Sequence, residues 1–323
     1  MYLERMNQMR NEIYHREWRW MEQLSAAFHV FSAIIGAVMK VMAIIFLPIS
    51  ILQSVILSRM TADSQLLSEL LQTGNELASG YSNVMTAGEG TKYMLHVDFG
   101  TLEQALMQTL TNEMLYFAIV LFLQPVGIIA IAKVVRQYID AKDISVGKAL
   151  SEAFSLMPTI IVTGIIYGVL MVLGYLVIVP GIYFNIAWGF YLFCIGLSGK
   201  KGWAALKYSK ELVKGKWWRT FAYLWLLSIV AMLWNSVFQL IYVFVPAGTA
   251  SDILYQFLCY FSLAFVAAGK TLLFINREAI TFGVRPGADV PAAEMPGEDG
   301  PAESVEGTVE GEPVEQKEEK KDE

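Results

Sequence analysis

Long apolar runs separated by shorter polar segments make up most of this chain. Runs of that length predict transmembrane helices, and six can be placed. Ahead of the first, Met21, Leu24, Phe28, Phe31, Ile35 and Val38 recur at three- and four-residue intervals, giving a helix with one apolar face. Arg5, Arg10, Arg16 and Arg19, with Trp18 and Trp20, precede or open that stripe. The combination predicts an amphipathic helix lying in the membrane interface, with the Lys40 amine snorkelling to the headgroups. The first crossing then covers 41–57, with a kink expected at Pro48.

The polar stretch 59–113 follows, with seven acidic residues against two basic ones, Arg59 and Lys92. Leu66, Leu67, Leu70, Leu71 and Leu77 predict an amphipathic helix in it, Gly80, Gly88 and Gly90 a loop, and Thr101 and Glu103 the start of a second helix. The second crossing is expected at 115–132, interrupted at Gln124-Pro125, and a short polar helix at 146–156. Crossing three covers 159–179 and carries Gly164 and Gly168 at a spacing that favours close helix contact. Pro180-Gly181 is expected to turn the chain straight back into crossing four, 182–197. A basic helix, 203–214, precedes crossing five at 220–245, a second short turn and crossing six at 253–275.

The distribution of Lys and Arg orients this layout. Four lie in the N-terminal segment, four in 133–157, seven in 199–219 and five beyond Asn276. The opposite side holds two, both in the long loop. Both termini are therefore expected in the cytoplasm of a multi-pass plasma-membrane protein, with 59–113 outside. The chain divides accordingly into a cytoplasmic and interfacial segment, 1–40, a six-helix membrane domain, 41–275, and a cytoplasmic tail, 276–323. Residues 147–156 align with 203–212 through Ala149 and Ala205, Leu150 and Leu206, and Leu156 and Leu212. Each copy precedes a hairpin of crossings, and the N-terminal stripe supplies a third unit, so a parallel repeat of three is expected.

Composition sharpens the class. Hydrophobic residues make up 55% and charged residues 17%, with mean hydropathy +0.46; a soluble domain carries roughly a quarter charged residues. The net charge of −6 is unevenly placed. Residues 287–323 hold thirteen Asp/Glu against three Lys, a net −10, which leaves the rest at +4. With a proline every five residues at its start, this tail is too polar to bury a core and is expected to be disordered. The polar N-terminus lacks the features of a cleavable signal peptide.

Candidate chemistry is sparse. Cys194 and Cys259 lie in apolar runs, and His15, His29 and His96 are scattered, so neither a disulfide framework nor metal-ligand spacing is present. Asp63, Glu69, Glu76, His96 and Asp98 share the long loop without a spacing that joins them. No nucleophile has a base at recognisable spacing. The reading therefore expects no catalytic residue, cofactor or metal.

Two groups of residues remain. In the basic helix, Lys207, Lys210 and Lys214 form one edge and Trp203, Leu206, Val213 and Trp217 another, with Trp218 beyond. This is either a site for anionic lipid headgroups or an ordinary inner-face anchor; lysines tied to a membrane-embedded aromatic face argue against nucleic acid. Gln124, Asn235, Gln239 and Lys270 lie within the crossings. The amides either bond helix to helix or line a substrate path, and Lys270 is expected to snorkel. Mid-crossing Asp and Glu are absent, which removes the usual carrier for proton-coupled transport.

Pro180-Gly181-Ile182-Tyr183, Trp188, Ala205-Leu206, Ser209, Leu212-Val213-Lys214-Gly215 and Trp217-Trp218 together resemble a signature of the glycerophosphoryl diester phosphodiesterase membrane-domain-like family. The resemblance covers about forty residues and implies a bacterial six-helix membrane protein, in most members without known activity. In the namesake members the membrane part precedes a phosphodiesterase barrel. Here an acidic tail follows, so the catalytic domain is expected to be absent and the enzymatic name is not transferred. The family often places Arg before the Trp and Glu at that helix's exit, where this chain has Ala187 and Ser198.

The sequence thus predicts an all-α polytopic protein with six crossings in three hairpins and interfacial helices on the cytoplasmic side. The expected role is a non-catalytic scaffold or accessory subunit engaging membrane lipids, or a membrane protein through 59–113 or the tail. The alternative is a transporter or lipid-translocating permease with a cavity between hairpins.

Overall fold

The computed structural model describes residues 9–10, 12–59, 68, 72, 99–246 and 248–283. Every regular element among them is helical. Among the described residues, six helical spans are long and apolar enough to cross a membrane: Ile35–Arg59, Leu106–Ile139, Met157–Tyr175, Ile178–Ser198, Trp217–Val243 and Thr249–Phe282. This is the all-α, six-span arrangement expected from the hydropathy pattern. The long-loop leucines, glycines and acidic residues named above, His96 and the acidic tail lie outside the described residues.

The first two crossings share a construction. Helices α1 (Trp20–Ala33) and α2 (Ile35–Val41) lead into a π-turn, Met42–Phe46, directly before Pro48. Helix α3 (Phe99–Ala118) enters a second π-turn, Ile119–Leu123, before α4 (Gln124–Ile139), whose second residue is Pro125. A proline ring clashes with the carbonyl four residues back, and a widened turn accommodates it without breaking the helix. The interruptions expected at Pro48 and Gln124-Pro125 are therefore bulges in continuous helices. Phe46 packs against Tyr260 at 4.9 Å between ring centroids and lies against Gly127, where a Cβ would overlap its ring.

The N-terminal stripe differs from expectation. Gln23, Ala26, Ala27, Val30, Phe31, Ile34 and Val38 are buried, whereas Met21, Phe28 and Ile35 are exposed. The small pair Ala26-Ala27 lets α1 approach the bundle, and the larger apolar side chains face outward at no cost if hydrocarbon surrounds them. Helix α1 packs antiparallel along the last crossing. The Trp18 backbone N–H donates to Asn276 at 3.4 Å, and Phe31 meets Phe261 and Phe265 with centroids at 5.3 and 5.5 Å.

After α5 (Val146–Ser155), capped by the Ser145 hydroxyl, α6 (Met157–Tyr175) and α7 (Ile178–Ala187) form the third and fourth crossings' outer hairpin. The turn is Leu176-Val177. Pro180-Gly181, expected to make it, lies inside the first turn of α7, where a proline loses no hydrogen bond. Gly181 instead provides closeness: a Cβ there would stand 2.6 Å from Tyr175 Cδ1 and 3.0 Å from Tyr175 Cα. The Gly164/Gly168 pair does not serve this purpose. A Cβ at Gly168 would meet nothing within 4 Å, and one at Gly164 would make ordinary contact with Leu121.

Crossing four is also not one helix. It breaks at Trp188-Gly189-Phe190 and resumes as α8 (Tyr191–Ser198), which ends on Gly199 in the left-handed conformation (φ 64°). Helix α9 (Gly202–Val213) follows, then α10 (Trp217–Val243) and α11 (Thr249–Phe282). Helix α11 is the axis of the bundle, with 67% of its most apolar window buried, against 6% for α10 at the periphery. Crossing six was expected to end at Ile275; the helix continues to Phe282, and Asn276, Arg277 and Glu278 are all buried.

Two of the three repeat pairs match in burial, and the third does not, Leu156 being half-buried and Leu212 buried. Ala149 and Ala205 are both fully buried, and Leu150 and Leu206 lie against the bundle beside them.

Candidate functional site

The last turns of α11 gather the polar residues of one end of the molecule. Three consecutive positions on a helix point about 100° apart, so Asn276, Arg277 and Glu278 each address a different neighbour. Asn276 Nδ2 donates to the carbonyls of Ile13 and Arg16, both at 2.8 Å, and its oxygen accepts from Trp18. The side chain therefore replaces the backbone partners lost where the N-terminal helix stops.

Arg277 pairs with Glu17 at 2.5 Å. The same carboxylate receives Lys216 at 2.9 Å and Arg219 at 3.2 Å. Burial would raise the Glu17 pKa, but the Lys216 hydrogen bond and the charges of Arg277 and Lys216 outweigh it and hold the carboxyl below its ordinary value. One anion thus joins the N-terminal segment to α10, α11 and the residues before α10.

Glu278 turns to the opposite side. It accepts hydrogen bonds from the Ser198 hydroxyl and, at 2.9 Å, from Tyr208. Arg136 Nη1 lies 3.5 Å from its other oxygen, while Arg136 Nε donates to Asp140 at 3.1 Å. Tyr14 donates to Asp140 at 2.7 Å, and Arg10 donates to the Tyr138 carbonyl at 2.7 Å. Burial raises the Tyr208 pKa, and the Glu278 charge and hydrogen bond raise it further. Burial also raises that of Tyr14, partly opposed by Arg136 and reinforced by Asp140. Both phenols are fixed donors at neutral pH. At the exit of α8, Ser198 thus meets a carboxylate supplied by another helix, Glu278.

Helix α9 sits beside this knot and closes the break in crossing four. The Ser209 hydroxyl donates to the Ala187 carbonyl at 2.8 Å and accepts from the Phe190 N–H at 3.2 Å. Two backbone groups freed by the break are thereby satisfied by one buried side chain. Trp188 packs over Phe184, centroids 4.4 Å apart, and contacts Trp203. Most of the signature residues therefore have structural roles: Gly181 at the hairpin, Trp188 at the break, Ser209 across it, and Ala205, Leu206, Leu212 and Val213 in the core.

The faces of α9 differ from the sequence expectation. Leu206 and Val213 are buried with Tyr208, Ser209 and Leu212, while Trp203 shares the exposed face with Lys207, Lys210 and Lys214. Positions 203, 207, 210 and 214 recur at the helical period. Trp217 is not on this face. It stacks on Phe221 at 5.4 Å and Tyr183 at 6.2 Å, whereas Trp218 is 75% exposed. Gly215, at φ 77°, makes the bend between α9 and α10.

The intramembrane polar residues do not form one site. Asn235 Oδ1 accepts from Ser262, joining α10 to α11, so this amide does bond helix to helix. Asn235 and Gln239 line an open groove of about 580 Å³ with Ser228, Ala231, Met232, Ser236, Tyr255 and Val266. Gln124 lies on a different crossing, at the start of α4, and outside that lining. Lys270 is half-buried one turn beyond Val266 and makes no hydrogen bond or ion pair among the described residues. Cys194 is fully buried, and no cluster of three His, Cys, Asp or Glu residues with metal-site geometry occurs among the described residues.

The 276–278 knot was invisible to hydropathy. Its signal was three adjacent polar residues at the end of an apolar helix, which resembles any inner-face flank. Comparison with family models, curated proteins and solved structures finds no match to this chain.

Proposed function

We propose that this protein is a non-catalytic scaffold of the plasma membrane that binds anionic lipid through its basic side, with both termini in the cytoplasm. The carrying observation is the single exposed face formed by Trp203, Lys207, Lys210 and Lys214. Its cations have no carboxylate partner among the described residues, unlike Lys133, Lys216 and Arg219. Trp218 and Arg219, both strongly exposed, extend the same combination of indole and cation past the bend. A tryptophan among lysines suits the headgroup level, and each lysine near an anionic leaflet contributes about 1 kcal/mol. Membership of the phosphodiesterase membrane-domain-like family belongs to the same proposal.

The test is lipid retention. Protein released from nanodiscs of mixed anionic and zwitterionic lipid is expected to carry anionic lipid preferentially in native mass spectrometry. Replacing Lys207, Lys210 and Lys214 together by Gln should remove that preference while leaving thermal stability unchanged. Undiminished preference in the triple variant would overturn the assignment.

A second reading, a permease or lipid-translocating transporter, draws on the groove holding Asn235 and Gln239. It requires solute or lipid flux in proteoliposomes that Asn235→Leu abolishes. Gln124, being outside the groove, has no part in that path.

A further inference from the structure

Helix α10 faces outward along most of its length yet carries polar groups that lipid does not satisfy. Beyond its first third it buries almost nothing: Thr220, Tyr223 and Leu227 are its only buried residues. Yet one side of its outer two-thirds is polar. Ser228, Asn235 and Gln239, with Ala231, Met232 and Ser236 flanking them, follow the helical period and line the groove beside α11.

The hydrogen bonding separates these residues into two kinds. The hydroxyls of Ser228 and Ser236 turn back onto their own helix, to the carbonyls of Leu224 at 2.9 Å and Met232 at 2.8 Å. They need no outside partner, and with Ala231 they keep the helix surface low enough for close approach. The amides are different. Asn235 uses its oxygen on Ser262, and its Nδ2 has no acceptor among the described residues. The Gln239 carboxamide is exposed and makes no hydrogen bond among them. Polar groups at that depth require protein or water against them, and an acyl chain offers neither donor nor acceptor.

We infer that this groove receives helix α10 of a second copy of the same chain. Two copies in one membrane have the same topology, so their symmetry axis runs along the membrane normal. Each residue then meets its counterpart at its own depth, and only a self-complementary stripe is tolerated. A carboxamide both donates and accepts, so Asn235 and Gln239 satisfy that condition, which a Lys or Glu stripe would not. No charged residue occurs from Thr220 to Val243. The small Ser and Ala positions admit the partner's backbone. The inference stands independently of lipid binding at α9.

Cysteine crosslinking in native membranes tests it. In a background carrying Cys194→Ala and Cys259→Ala, single cysteines are placed by Ser236→Cys and Gln239→Cys in the groove. Leu233→Cys and Val237→Cys provide exposed positions on the far side of α10. Copper-catalysed oxidation is expected to give a band at twice the 36.1 kDa chain mass, several-fold stronger for the groove pair. Energy transfer between differently labelled copies in liposomes should fall when Asn235→Leu and Gln239→Leu are combined. The inference is overturned by equal crosslinking at all four positions, by no dimer at the groove positions, by a crosslinked band of another mass, or by unchanged transfer in the double variant.

Discussion

A single hydroxyl carries an unusual share of the structure. Ser209 is fully buried and bridges the two ends of a helix break in crossing four. Leaving a buried backbone group unpaired costs about 1–3 kcal/mol, and Ser209→Ala strands two, the Ala187 carbonyl and the Phe190 N–H. The expected outcome is a clear drop in the detergent melting temperature with little change in helix content. An unchanged melt would mean that the break at Trp188-Gly189-Phe190 satisfies itself. Asn276 and Glu278 show the same principle, since each is buried against partners that take up its polar atoms, whereas Arg277 is held by Glu17 alone and its buried Nε has no partner among the described residues.

Among the helices, close approach is set by particular glycines. Gly181 admits Tyr175, Gly196 admits Ile129, and Gly269 admits Leu227 and Tyr223, whereas Gly168 faces open space. Gly181→Ala is therefore expected to open the α6–α7 hairpin and lower the melting temperature, because the new Cβ meets backbone as well as a ring. Gly168→Ala should be neutral or slightly stabilising, since alanine is the better helix former by about 1 kcal/mol. If both variants melt alike, backbone contact at Gly181 is not what holds the hairpin. This contrast marks the limit of sequence reading here. The six crossings and the repeat helices were legible because apolar length and period are local properties. The Gly164/Gly168 spacing was equally visible but could not reveal whether a neighbour faced it. Pro180-Gly181 announced a turn by composition, yet the turn falls at Leu176-Val177. The break at Trp188-Gly189-Phe190 depends on Ser209, about twenty residues away, and hydropathy has no access to such a pairing. The partners of Asn276 and Arg277 lie some 260 residues upstream.

At the scale of the molecule, both ends of the described body are fastened at one place, and Glu17 is the electrostatic centre of that fastening. Three cations surround its carboxylate: Lys216, Arg219 and Arg277. Its folded pKa is depressed, so the ionised form is favoured by folding, and the contribution is complete above the unfolded value of about 4.3. As pH falls through the depressed folded value, protonation removes the contribution and leaves the cations facing one another. Wild-type protein should therefore melt above Glu17→Gln at neutral pH, and the gap between them should close as the pH enters the acid range. Other carboxylates will lower both curves together, so the difference between the curves isolates Glu17. High salt should narrow the neutral-pH gap, because the Arg219 side of the cluster is open to solvent. A gap that persists unchanged in acid would show that Glu17 holds the N-terminal segment by packing, and that charge is incidental to joining the two ends.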